Sequence, residues 1–119
     1  MSGEVSWVVS AAIKAGALED LKALSAEMIE NTQASEPGTL GYEWAISEDG
    51  ARLEIHEHYR DSEAALTHLG TFNANYAKRL MALIDPPAMA VTGAPDAALK
   101  KVLTEIGATF MQPAGGFTR

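Results

Sequence analysis

Cysteine is absent from this 119-residue sequence, which excludes a disulfide framework, a thiolate metal site and a cysteine nucleophile. Basic residues are scarce: nine Lys and Arg stand against sixteen Asp and Glu, a formal charge of −7. Because no stretch concentrates Lys or Arg, the electrostatic footprint of a protein that binds phosphate backbones or anionic lipid is missing. No nucleic acid and no membrane is therefore expected among its partners. No apolar run approaches the ~20 residues that a bilayer-spanning helix requires. Met1-Ser2-Gly3-Glu4 lacks the basic-then-apolar pattern of a secretory leader, so the chain is read as cytoplasmic and unanchored. There is no Gly-x-Ser-x-Gly elbow, and Gly115-Gly116 lacks the flanking strand and helix that a nucleotide site needs.

The length suits one hydrophobic core and is short for two, since domains run to roughly 100–150 residues. With 47% hydrophobic and 21% charged residues, the composition is that of a folding globular chain. One domain over residues 1–119 is expected, and nothing in the sequence reads as a linker or a repeat.

Val5, Trp7, Val9, Ala11 and Ile13 alternate with Ser6, Val8, Ser10 and Ala12, the period of a strand. Gly16 can cap the next element, with Glu19 and Asp20 in a first turn that the helix dipole favours for acids. Leu18, Leu21, Leu24, Met28 and Ile29 then recur at helical spacing until Pro37-Gly38. Leu40, Tyr42, Trp44 and Ile46 alternate again, as do Leu53, Ile55, Glu57 and Tyr59, and the Asp49-Gly50 pair between them marks a hairpin. Asp61 or Ser62 caps a second helix carrying Ala65, His68, Leu69, Phe72, Tyr76, Leu80, Leu83 and Ile84, which Gly70 is expected to break or bend. Pro86-Pro87 ends it, Met89 and Val91 form a fourth strand, and Gly93-Ala94-Pro95 closes that strand.

The order is β-α-β-β-α-β, the split-βαβ arrangement of a ferredoxin-like α+β fold with helices on one face of an antiparallel sheet. The core spans about residues 4–92. In the extension, 93–119, Asp96 precedes the stripe Leu99, Val102, Leu103 and Ile106, which Gly107 ends. A short helix is predicted there, with a short edge strand within Ala108 to Gln112. Strands with apolar groups on both faces, Val8 and Ala12 opposite Val9 and Ile13, should not leave the helix-free face wet. Packing that face on a second copy is the economical solution, so a homodimer is expected.

Two phrases carry a family likeness: Glu36-Pro37-Gly38-Thr39-Leu40-Gly41-Tyr42-Glu43, and the run His56-Glu57-His58-Tyr59-Arg60-Asp61-Ser62-Glu63-Ala64-Ala65-Leu66-Thr67-His68-Leu69. Over residues 4 to 92 the chain resembles the antibiotic biosynthesis monooxygenase family of the dimeric α+β barrel superfamily. The resemblance implies that barrel and a cofactor-independent monooxygenase acting on a small aromatic or polyketide-like molecule. The superfamily also holds haem-degrading members and proteins without known activity, so a haem-binding member and a non-catalytic dimeric binding or structural protein are carried as alternatives. Fold alone does not choose among them.

His68 matches the helix histidine of the family, and an imidazole facing an apolar cavity can orient a phenol or accept its proton near neutral pH. Packed in the core, the same ring would only bond the backbone or a carboxylate. Glu57 and Tyr59 share one strand face and match the family's acidic and aromatic positions. A buried Glu57 needs a partner, and His68 is the candidate; a plain salt bridge is the other reading. Asn75 completes the expected catalytic set as a hydrogen-bonding group. The aromatic residues Trp7, Tyr42, Trp44, Phe72 and Tyr76 can line a flat aromatic-binding pocket or simply fill the core. Glu54, His56 and His58 lie together on the opposite strand face, a spacing that can hold zinc or iron but more commonly marks an interface. No metal and no cofactor is assigned.

Overall fold

The computed structural model describes residues 3–119. Its elements are β1 (Val5–Ala12), α1 (Leu18–Ser35), β2 (Thr39–Ile46), β3 (Arg52–Tyr59), α2 (Ser62–Asn75), α3 (Ala77–Met81), β4 (Ala88–Gly93), α4 (Ala97–Glu105) and β5 (Thr109–Phe110). The sheet order is β2-β3-β1-β4-β5. All pairings are antiparallel except the last, where β5 runs parallel to β4. This is the expected ferredoxin-like α+β fold with the predicted terminal helix and edge strand.

Alternation along the strands places the core. Val5, Trp7, Val9 and Ala11 of β1 and Leu53, Ile55, Glu57 and Tyr59 of β3 are buried beneath the helices. Leu21, Leu24 and Met28 of α1, and Ala65 and Leu69 of α2, cover them. Burying a large apolar side chain stabilises by about 1.5–3 kcal/mol, so this inner face holds the domain together. Leu99 and Leu103 of α4 are fully buried in the same core.

Two local expectations need correction, and one open choice is resolved. Gly16 is not the cap of α1: Ala17 takes that place without a side-chain hydrogen bond, while Gly16 turns the chain at φ 78°. Asp61, not Ser62, caps α2 by accepting the Ala64 N–H at 2.8 Å. Gly70 does not interrupt α2. The helix runs through it to Asn75 and breaks at Tyr76, whose φ −129° leaves the helical region before α3 begins.

The outer sheet face is more polar than Val8 and Ala12 suggested. His56 and Glu54 pair at 2.7 Å there, and His58 pairs with Glu4. No group of three or more His, Cys, Asp or Glu among the described residues could hold a metal ion, so the histidines of β3 do not form the cluster that their spacing allowed. No helix of the described residues is long and apolar enough to cross a membrane.

Candidate functional site

Strand register builds the floor of the site. Glu57 of β3 lies opposite Trp7 of β1 and Tyr42 of β2, so an indole, a carboxylate and a phenol form one transverse row on the inner face. α2 lies over this row and lowers His68 onto it. Glu36 arrives from the other side as the C-cap of α1, three residues before β2 begins.

The result is a buried polar cluster. His68 Nδ1 lies 2.8 Å from Glu36 Oε1, and its Nε2 lies 3.3 Å from Glu57 Oε1. The Tyr59 hydroxyl donates to Glu57 Oε1 at 2.5 Å, and the Thr39 hydroxyl donates to Glu36 Oε1 at 2.9 Å. The rings of Tyr42 and Tyr59 stand 5.1 and 5.4 Å from the imidazole. His68, Glu57 and Glu36 are all at most 7% exposed.

Burial pushes the Glu57 carboxyl above its usual range, against the opposing pull of the His68 charge and the Tyr59 hydrogen bond. Burial, followed by the Glu57 charge, also raises the Tyr42 and Tyr59 phenols. Both phenols therefore stay protonated at neutral pH and act as donors.

A cavity of about 390 Å³ opens beside the cluster, within the range of small-molecule sites. Glu57, His68, Tyr42 and Asn73 supply its polar end, and Trp7 and Phe72 supply aromatic wall. Met81, Pro86, Pro87, Val102 and Ile106 also line it. α4, in the extension, therefore contributes a wall.

The sequence candidates divide. His68, Glu57, Trp7, Tyr42 and Phe72 meet at the cavity, and Tyr59 stands behind Glu57. Asn75 is exposed at the end of α2 and lies outside the lining, where Asn73 stands instead. Tyr76 is buried in the core, and Trp44 packs edge-on against Tyr42 at 6.1 Å; neither lines the cavity. The Trp44 indole N–H has no partner among the described residues. Glu36 was not among the candidates, because beside Pro37-Gly38 it reads as part of a turn. Both His68 ring nitrogens face carboxylates.

Residues 5–79, well over half of the chain, match the model of the antibiotic biosynthesis monooxygenase family. The chain belongs to that family. Among solved structures, MupZ from Pseudomonas fluorescens superposes with a TM-score of 0.81 at 27% identity, over 98% of this chain and 94% of that one. Rv0793 from Mycobacterium tuberculosis is 30% identical, with a TM-score of 0.67 over 80% of this chain and 98% of its own. PA3566 from Pseudomonas aeruginosa, at 18% identity and TM-score 0.68 over 81% of this chain and 98% of its own, shares the fold. No curated protein matches the sequence. The likeness to MupZ extends over nearly the whole chain, whereas the family match ends before β4.

Proposed function

We propose that this antibiotic biosynthesis monooxygenase family member is a cofactor-independent monooxygenase that oxidises a small aromatic or polyketide-like phenol. The observation that carries the reading is the juxtaposition of a buried, raised-pKa Glu57, backed by His68, with a largely apolar cavity of about 390 Å³. A proton acceptor works best when its pKa lies near the working pH, and burial moves Glu57 in that direction.

In this scheme the substrate hydroxyl enters the polar end of the cavity and gives its proton to the Glu57–His68 pair. The Tyr42 hydroxyl donates a hydrogen bond to the resulting phenolate oxygen, and Trp7 and Phe72 flank the ring. The electron-rich ring carbon adds O₂, and the peroxide takes up the transferred proton. Loss of the remaining hydrogen on that carbon as a proton, with O–O cleavage, then leaves a carbonyl and water. One oxygen atom enters the product and the other leaves as water. The substrate supplies all four electrons, so the balance requires no other reductant. We further propose that the active form is a homodimer joined through the outer face of the sheet.

Oxygen uptake with a panel of hydroxylated anthracene-like and quinol compounds tests the reading. At least one compound should be turned over, and His68→Gln should lower that rate by about 10²–10⁴-fold, the usual contribution of a general base. A parent protein that neither consumes oxygen with the panel nor binds any member by calorimetry would leave a non-catalytic dimer as the function.

A further inference from the structure

Glu36 takes no part in the proton transfer described above, yet it is held in an unfavourable place. Its side chain is 4% exposed, and burying a carboxylate costs free energy unless its lone pairs are used. It sits at the C-terminal end of α1, where the partial charge of the helix dipole is already negative. One of its oxygens, Oε2, is buried without a partner among the described residues. What offsets these costs is concentrated on Oε1, which accepts the Thr39 hydroxyl at 2.9 Å and faces His68 Nδ1 at 2.8 Å. A carboxylate kept under such conditions for one imidazole nitrogen points to a task at that nitrogen.

We propose that Glu36 is a positioning residue that fixes His68 in the Nδ1–H form and turns Nε2 toward Glu57 and the cavity. The assignment rests on the reading of Glu57 and His68 as the base. With Glu36 as a carboxylate, which accepts hydrogen bonds and donates none, the 2.8 Å contact places a proton on Nδ1. The contact on the other side is longer, 3.3 Å to Glu57, as suits a nitrogen whose proton is exchanged rather than held. Tyr42 and Tyr59 stand against the ring, so a flip that would swap the two nitrogens is obstructed. The arrangement parallels the buried aspartate of serine-protease triads, which holds its histidine in the productive tautomer.

The test uses the full chain with ¹⁵N-labelled histidine, His68→Gln serving to assign the His68 signals among the three histidines. In the parent, Nδ1 should carry the proton at neutral pH, with a strongly downfield and slowly exchanging N–H. Glu36→Gln should move that proton upfield and spread the ring proton over both nitrogens. Thr39→Val is the second variant, and it remains informative if Glu36→Gln does not fold. It removes the competing donor on Oε1 and should move the Nδ1 proton further downfield, opposite to Glu36→Gln. With a turned-over substrate, Glu36→Gln should lower kcat by about 10–100-fold, the usual effect of losing an orienting partner, with KM little changed. Parent spectra showing an Nε2–H tautomer, or an unchanged His68 signal in Glu36→Gln, would overturn the assignment. A parent without turnover whose spectra follow the expected pattern would sink the monooxygenase reading and leave the role of Glu36 standing.

Discussion

At the residue scale, the most informative group is Glu57, whose pKa is raised chiefly by burial. A carboxyl whose folded-state pKa exceeds its unfolded value favours folding most when protonated. Its contribution is fully present below the ordinary value of 4.5 and is lost as pH rises through the folded-state pKa. Glu57→Gln removes that titration. The melting temperature of the parent should therefore fall more steeply between pH 4.5 and neutrality than that of the variant. Parallel curves would show that Glu57 is not the strained group. How much of the site was legible follows from the same residues. Glu57, Tyr59 and His68 stood out because alternation and helical spacing place them on inward faces. Glu36 did not, since a glutamate before Pro-Gly has no periodicity to reveal burial. Asn75 shares the His68 side of α2, within about 20° of it at 100° per residue, but it lies nearly two turns further along, exposed at the helix end and outside the cavity lining.

At the element scale, two glycines show how the space around a residue decides what it does. Pro37-Gly38 ends the first helical pattern, as a turn should, yet Gly38 does not have positive φ. What it supplies is space: a Cβ there would lie 2.6 Å from the Cβ of Ala64 on α2. The requirement is therefore close approach of α2 to the β2 entrance, which also brings His68 and Glu36 together. Gly38→Ala should cost about 1–3 kcal/mol, as overpacking does. Gly70 lies inside α2 with nothing within 4 Å of an added Cβ. Gly70→Ala should instead stabilise by about 0.5–1 kcal/mol, because alanine loses less backbone entropy in a helix. Thermal melts of the two variants should move in opposite directions. A neutral or stabilising Gly38→Ala would mean that α2 can retreat without loss. The order of elements was legible from period alone, since strand and helix repeats differ. Boundaries that depend on packing, such as the break at Tyr76, were not.

At the scale of the whole molecule, the open question is what covers the helix-free face of the sheet. β1 runs through its centre and presents Ser6, Val8, Ser10 and Ala12 there, all partly buried even in the single chain. Ala88 and Ala90 of β4 lie beside them. Side chains this small let a second sheet approach to about 10 Å, the usual face-to-face spacing, while His56–Glu54 and His58–Glu4 supply satisfied polar groups around the β1 row. A twofold arrangement would bury the row against its own copy. Sedimentation equilibrium at micromolar concentration should therefore give twice the 12.6 kDa chain mass. Val8 lies opposite His56 and Ala90, and the neighbouring carboxylate of Glu54 is already engaged by His56. In Val8→Lys, symmetry places two unpaired ammonium groups in the interface, each costly to desolvate. The dimer constant should weaken by at least about 100-fold, roughly 2.7 kcal/mol, while the far-ultraviolet spectrum stays that of the parent. A parent that sediments as a monomer would remove the dimer. A Val8→Lys variant that remains dimeric would move the interface to the β2 edge, where Leu40 is 52% exposed.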